Sequence, residues 1–265
     1  MNDLTTAILV AGEMATGIAH RLYSAGFKRI VMSDLARPIA VRRSVAFCET
    51  VYDGQMMVEG IEAELMTDVG EAPDVWARGS VAVIVDEEGS FLPALRPDVL
   101  IDAIMAKRQK PSMRGMAPLV IGVGPGFTAP EGVDVVIESN RGHNLGRVMY
   151  RGEAEPFTGL PGSTEGYTKE RVLRSPHAGT VKAVRSLGDR VRKGDVILFI
   201  NETPVVAQID GILRGLIRPI QVPGNEKVGD IDPRAREEYC FTISDKARAI
   251  GGGVLEAVLH RYHHS

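Results

Sequence analysis

Glu138, Arg141, His143, Asn144 and Arg147 fall within the ten positions of ESNRGHNLGR, and their side chains could do chemistry together. A carboxylate and an imidazole exchange protons near neutral pH, and two guanidiniums with an amide can hold a phosphate. Just upstream, Gly122, Gly124 and Gly126 lie in IGVGPGF, where missing side chains let backbone amides close on an anion. The two stretches predict one ligand site, with Glu138 and His143 as candidate acid–base groups and Gly122, Gly124, Gly126, Arg141, His143, Asn144 and Arg147 as candidate binding residues. The alternative is a turn whose polar groups cap neighbouring helices. Asp102 is a further acid–base candidate within the apolar run from Val99 to Ile104, and the Lys107–Arg108 pair beyond it offers cations to a phosphate.

These groups need strands to carry them. APLVIGV runs directly into GPGF and VDVVIES into NRGHNLGRV, so both loops leave the carboxyl ends of strands, where open parallel sheets bind ligands. The amino-terminal stretch reads as a βαβ unit: a strand from Thr6 to Val10, the turn AGEMATG, a helix from Ile18 to Ala25 and a strand from Arg29 to Ser33. Gly12, Thr16 and Gly17 are candidate cofactor positions in that turn, and Asp34 stands where an acidic group meets a ribose hydroxyl in dinucleotide-binding folds. Val10 occupies the place of the first fingerprint glycine. An amphipathic helix is expected from Val41 to Val51, opened by Arg42 and Arg43 as solvated side chains or as partners of an anion, and another strand from Val81 to Val85.

From Arg174 to Pro233 the pattern changes to short β runs between glycine turns, and SPHAGTVKAV with LGDRVRKGDVILFI is echoed by AQIDGILRGLI with NEKVGDIDP. This repeat resembles the barrel-sandwich hybrid of biotinyl and lipoyl domains, with Gly179, Gly188 and Gly194 on that family's turn positions. The resemblance implies a lysine at the tip of the hairpin between the halves. Here the tip reads NETPVV, and without an amine at Thr203, Pro204 or Val205 no prosthetic group can be attached as an amide. A structural or docking role is expected instead, with Lys182 and Lys193 as solvated surface groups.

A closing helix is capped by Ser244 or Asp245 and interrupted by Gly251, Gly252 and Gly253. Three glycines at roughly 1 kcal/mol each relative to alanine imply close contact with another backbone or a ligand. The helix is expected to return to the α/β region with Asp245, Lys246 and Arg248 near the glycine loops. The final His260, His263 and His264 read as a frayed tail rather than a metal site.

The fold class expected is therefore α/β: a Rossmann-like parallel-sheet domain over 1–165, a barrel-sandwich hybrid-like β domain without carrier lysine over 166–240, and a terminal helix and tail over 241–265. The 265 residues carry a net charge of -3, which supplies no field for gripping nucleic acid. Two cysteines, Cys48 and Cys240, make neither a disulfide framework nor a zinc site, and no apolar run is long enough to span a membrane. The opening residues do not read as a signal peptide, so a cytoplasmic location is expected.

AGEMATGIAHRL, RRSVAF, PDVLIDAIMAKR, MAPLVIGVGPGFTA, ESNRGHNLGRV, GYTKERVLRSP, IDGILRGLI, VGDIDPR and YCFTISDKARAIGGGVLEA together resemble the YqeB family over nearly the whole chain. The sequence departs from that pattern at Val10, Glu13 and Met14, where Gly, Asp and Leu are usual. The resemblance implies an accessory protein of a selenium-dependent molybdenum hydroxylase system, associated with maturation or insertion of a molybdenum cofactor. Its partners would be the hydroxylase apoenzyme or other maturation proteins, with homo-oligomers possible, and its ligand a nucleotide or a molybdopterin dinucleotide. Two other readings stay open: an NAD(P)-dependent oxidoreductase using Asp34 on the ribose and His143 as acid or base, and a protein-binding scaffold with no small-molecule ligand.

Overall fold

The computed structural model describes residues 3–105 and 109–263, and the chain divides into two compact units. The first comprises 1–38, 46–157 and 243–265; the second comprises 39–45 and 158–242. The sequence pattern puts a boundary after 165, whereas the chain leaves the first unit after Phe157 and rejoins it at Ile243.

In the first unit the elements are β1 (Thr5–Leu9), α1 (Glu13–Ser24), β2 (Arg29–Asp34), the single turn α2 (Thr50–Asp53), β3 (Gln55–Val58), β4 (Ile61–Met66), α3 (Ala72–Ala77), β5 (Val81–Val85) and α4 (Leu92–Leu95). They continue with β6 (Val99–Asp102), β7 (Leu119–Val123), β8 (Thr128–Ala129), β9 (Val135–Ile137), β10 (Val148–Met149) and β11 (Gly152–Glu153), and end with α5 (Asp245–His263). Nine strands form one sheet in the order β10-β9-β7-β6-β1-β2-β5-β4-β3, parallel except for the edge strands β10 and β3. Sheets covered on both faces need apolar side chains on both, which is why VAVIV and LVIGV read as unbroken hydrophobic runs rather than alternating ones. The chain steps from β1 outward through β2, then crosses from β5 back to β6 on the other side of β1. The strand order therefore reverses between β1 and β6.

Several expectations change. Helix α1 begins at Glu13, five residues earlier than its apolar pattern suggests, with Gly12 as its N-cap. No helix spans Val41–Val51: two 3-10 turns, Arg43–Val45 and Phe47–Glu49, precede α2. The reason is that the amides of Phe47 and Cys48 donate to Thr16 Oγ1 and the Ala11 carbonyl, both at 2.8 Å, instead of to carbonyls four residues back. Arg42 is 5% exposed rather than solvated, and its Nη2 donates to the carbonyls of Tyr239 and Thr242 at 2.6 and 2.8 Å. The β3–β4 hairpin, turning through Glu59 and Gly60 with φ of 44° and 81°, has no counterpart in the sequence reading. The tail is helical through His263, where Tyr262 donates to the Asp98 carbonyl at 2.8 Å and the His260 ring lies 4.9 Å from that of Tyr150; His264 lies outside the described residues. Among the described residues, no helix is long and apolar enough to cross a membrane.

The second unit holds β12 (Val172–Arg174), β13 (Gly179–Ala183), β14 (Arg190–Val191), β15 (Val196–Ile200), β16 (Thr203–Val206), β17 (Gly211–Leu216), β18 (Gln221–Val222) and β19 (Lys227–Asp232). They form two four-stranded antiparallel sheets, β12-β19-β17-β14 and β16-β15-β13-β18. Leu173, Leu213 and Ile231 from the first pack with Val181, Leu198 and Val222 from the second in one apolar core. The sequence repeat has a packing counterpart: Gly179 and Gly211 open β13 and β17, and a Cβ on either would come within 2.6 Å of Asn201 Nδ2 or 2.5 Å of the Asp232 carbonyl oxygen.

Candidate functional site

The site begins at the strand reversal. Val10, directly after β1, has φ of 73°, a left-handed conformation that a β-branched residue rarely adopts. The backbone thus bends as a glycine would bend it. Its neighbour Ala11 donates to Asp34 Oδ2 at 2.8 Å, and Asp34 Oδ1 accepts the Leu35 amide at 2.8 Å. Burial pushes the Asp34 carboxyl up from its ordinary value, against the pull of those two amides. Thr16 Oγ1 donates to the Ala11 carbonyl at 3.0 Å while accepting the Phe47 amide, so the polar groups of Thr16 brace the turn. Gly17 is a packing glycine: a Cβ there would lie 2.7 Å from the Cβ of Ala247 in α5. Gly12 faces open space, and no side chain caps α1.

On the other side of the reversal, Asp102 ends β6 with 0% exposure. Its Oδ1 accepts the Ile104 amide at 3.0 Å and its Oδ2 is paired with Lys110 Nζ. Lys110 was not visible as a partner in the sequence, where nothing marks a lysine eight residues on. Lys107 and Arg108 lie outside the described residues.

The glycines of IGVGPGF make room for protein atoms. A Cβ on Gly122 would run into the ring of Phe127, and one on Gly124 would lie 2.5 Å from Ser139 Oγ. The Gly124 amide donates to the Ile137 carbonyl at 2.8 Å, and the Gly126 carbonyl accepts the Lys110 amide at 2.9 Å. With φ of 80° and 98°, Gly124 and Gly126 let the chain fold back over its own strand.

The second loop meets α5. Glu138, 2% exposed, accepts the amides of Asn140 at 2.6 Å and Glu155 at 2.7 Å, one on each oxygen. Asn140 and Asn144 donate side-chain amides to Glu155 at 2.5 and 3.4 Å, a partner the sequence reading missed. Arg141 forms a two-point ion pair with Asp245 at the start of α5. His143 and Arg147 are exposed on the same loop. Next to Asp245, Lys246 is partly buried; burial first, and then the positive charge of Arg141, push its pKa down, opposed by Glu13, Glu138 and Asp245.

Residues from the α1 turn, the end of β9 and the start of α5 therefore gather at one edge of the sheet: Glu13, Glu138, Arg141, Asp245 and Lys246. Small residues allow the approach. A Cβ on Gly146 would lie 2.6 Å from the Ala249 carbonyl oxygen, and one on Gly253 would meet the Gly146 carbonyl. A cation made easier to deprotonate, beside a guanidinium and three carboxylates, can exchange a proton with a ligand, and the two cationic side chains can donate hydrogen bonds to it.

No protein-family model matches the chain. It is 46% identical over 254 residues to the uncharacterized protein YqeB of Escherichia coli strain K12, an alignment that covers 96% of this chain and 47% of that protein. The chain thus spans about half the length of the curated relative it matches. Among solved structures, the apo ectoine utilization protein EutE (DoeB) from Ruegeria pomeroyi aligns with 86% of this chain and 85% of its own at 11% identity and a TM-score of 0.26. An aspartoacylase family protein from Mesorhizobium loti aligns with 86% and 84% at 12% identity and a TM-score of 0.25. Scores at that level do not establish a common fold.

Proposed function

We propose, from the YqeB family membership that this identity supports, that the chain is an accessory protein in the maturation of a selenium-dependent molybdenum hydroxylase. Its first unit binds a nucleotide or the dinucleotide form of the molybdenum cofactor as cargo, at the carboxyl edge of the parallel sheet. The observation that carries the reading is the ion pair of Arg141 with Asp245, far apart in sequence, which sets the loop after β9 against the start of α5, next to Lys246 and beside α1. That edge flanks the β1–β6 reversal, the position at which open parallel sheets bind ligands. Gly12 leaves the first turn of α1 without a side-chain cap, so its amides can receive a phosphate, and Arg141 and Lys246 supply positive charge. Asp34 is turned onto the Ala11 amide, which weighs against the ribose contact that a nicotinamide-dependent oxidoreductase requires.

Thermal stabilisation of the purified protein by adenine, guanine and cytosine nucleotides, nicotinamide dinucleotides and molybdenum cofactor dinucleotides tests the reading. A ligand at about 100 times its Kd adds roughly 2.7 kcal/mol. Stabilisation by a cofactor dinucleotide that is lost in Arg141→Ala is the expected result. Stabilisation by nicotinamide dinucleotides alone replaces the reading with the oxidoreductase, and no stabilisation by any member replaces it with a protein scaffold.

A further inference from the structure

The tip of the β15–β16 hairpin carries a hydroxyl held by a base. Ile200 pairs with Thr203, so the turn consists of Asn201 and Glu202 alone, and Asn201 adopts the left-handed conformation with φ of 51°. Asn201 then locks the tip onto β13. Its amide donates to the Thr180 carbonyl at 3.0 Å, and its Oδ1 accepts the Thr180 amide at 3.0 Å. Gly179 must be glycine for this approach, because a Cβ there would lie 2.6 Å from Asn201 Nδ2. Thr203, the first residue of β16, is thereby fixed against His177, whose Nε2 lies 2.9 Å from Thr203 Oγ1.

The tautomer follows from the other ring nitrogen. His177 Nδ1 lies 2.9 Å from the carbonyl oxygen of Ala178, which can only accept. In the neutral ring Nδ1 therefore carries the proton, and the Nε2 lone pair accepts the hydroxyl proton of Thr203. A nucleophile bonded to a base, with the base oriented by a third group, is the arrangement that activates a hydroxyl for covalent chemistry. His177 is exposed and Thr203 half-exposed, so a donor can reach them.

We propose that Thr203 is an acyl-acceptor site, with His177 as its general base and an acyl thioester or activated ester as donor. Thr203 Oγ bonds to the acyl carbon while the carbon–sulfur or carbon–oxygen bond of the donor breaks. The Thr203 proton moves to His177 Nε2 and from there to the departing thiolate or alkoxide, leaving an ester on the hairpin tip and no change in oxidation state. An acyl donor is favoured over a phosphoryl donor because Glu202, exposed in the turn that precedes Thr203, adds negative charge to the tip, and a like charge repels a phosphoryl donor.

The test incubates the full chain with p-nitrophenyl acetate at mildly alkaline pH, followed by proteolysis and mass mapping. The expected product is a hydroxylamine-labile acetyl ester on Thr203, distinct from the hydroxylamine-stable amides formed on surface lysines. Thr203→Ala abolishes it, Thr203→Ser retains it, and His177→Gln slows its formation by about 100-fold, the contribution of a general base. Melting temperatures of the variants are read alongside, and unchanged values assign the losses to chemistry. Absence of an ester at Thr203 in the wild-type chain, or formation at an equal rate in folded His177→Gln, overturns the proposal.

Discussion

A Cβ placed on Gly251 in the middle of α5 would come within 2.8 Å of the carbonyl oxygen of Gly17 in α1. The two helices approach closely because both present glycine at the crossing, and this accounts for glycines that would otherwise weaken the terminal helix. The three differ in role: Gly251 faces α1, Gly253 faces the Gly146 carbonyl, and Gly252 has no atom within 4 Å of its would-be Cβ.

Gly251→Ala is expected to destabilise the protein by about 1–3 kcal/mol through overpacking. Gly252→Ala should stabilise it by roughly 1 kcal/mol, the helix propensity difference with no steric cost. Chemical denaturation of the two variants checks the pair, and equal effects would mean that the helices do not cross at Gly251.

Val10 stands in a backbone conformation that costs an L-residue about 1–2 kcal/mol. Val10→Gly is therefore expected to be stabilising or neutral after the larger entropy of the unfolded glycine chain is counted. Thermal unfolding measures it; a clear loss of stability would place Val10 on the ordinary side of the map.

Asp102 and Lys110 form a pair of which the carboxylate side is 1% exposed. Lys110→Met strands that carboxylate and should cost about 3–5 kcal/mol, whereas the double variant Asp102→Asn/Lys110→Met should recover much of the loss. Denaturation of the single and double variants gives the coupling directly.

Lys246 has a pKa lowered in the folded state from its ordinary 10.5, so folding disfavours its protonated form. The penalty is fully present below the folded value and fades as pH rises from there toward 10.5. Lys246→Met should therefore melt higher than wild type at pH 7, with the gap closing in alkaline buffer. On the proposed function, the same variant should also lose at least about tenfold in affinity for whichever nucleotide stabilises the wild-type protein, since each such charged contact is worth about 1.5 kcal/mol or more. A gap that widens with pH would contradict the burial of this ammonium.

The Arg141–Asp245 pair is surface exposed, so Arg141→Ala should change stability by less than about 1 kcal/mol. The proposed function puts its effect in ligand affinity, which calorimetry measures with a ligand that stabilises the wild-type protein in the thermal panel. Unfolding of Arg141→Ala would instead make the pair a structural clamp.

The sequence by itself determined the local elements whose burial is written in their residue pattern. Val81–Val85 is a strand with those very limits, the run expected over Val99–Ile104 is a strand that stops at Asp102, APLVIGV carries β7 through Val123, and Gly251 and Gly253 stand at the expected close approaches, although α5 runs through all three glycines uninterrupted. Periodicity and propensity report which face of a segment is buried, and that much is local. The tertiary structure alone decided which distant groups meet. Strand order put Asp102 beside the Val10 turn, the expected return of α5 made Arg141 in particular the partner of Asp245, and the grouping of 39–45 with the second unit turned Arg42 onto the Tyr239 and Thr242 carbonyls. The same holds for the failed helix at 41–51 and for the Thr203–His177 pair. For Arg42, for the 41–51 segment and for Thr203, a hydrogen bond to a group remote in sequence outweighs the local preference, and no spacing along the chain encodes that partner.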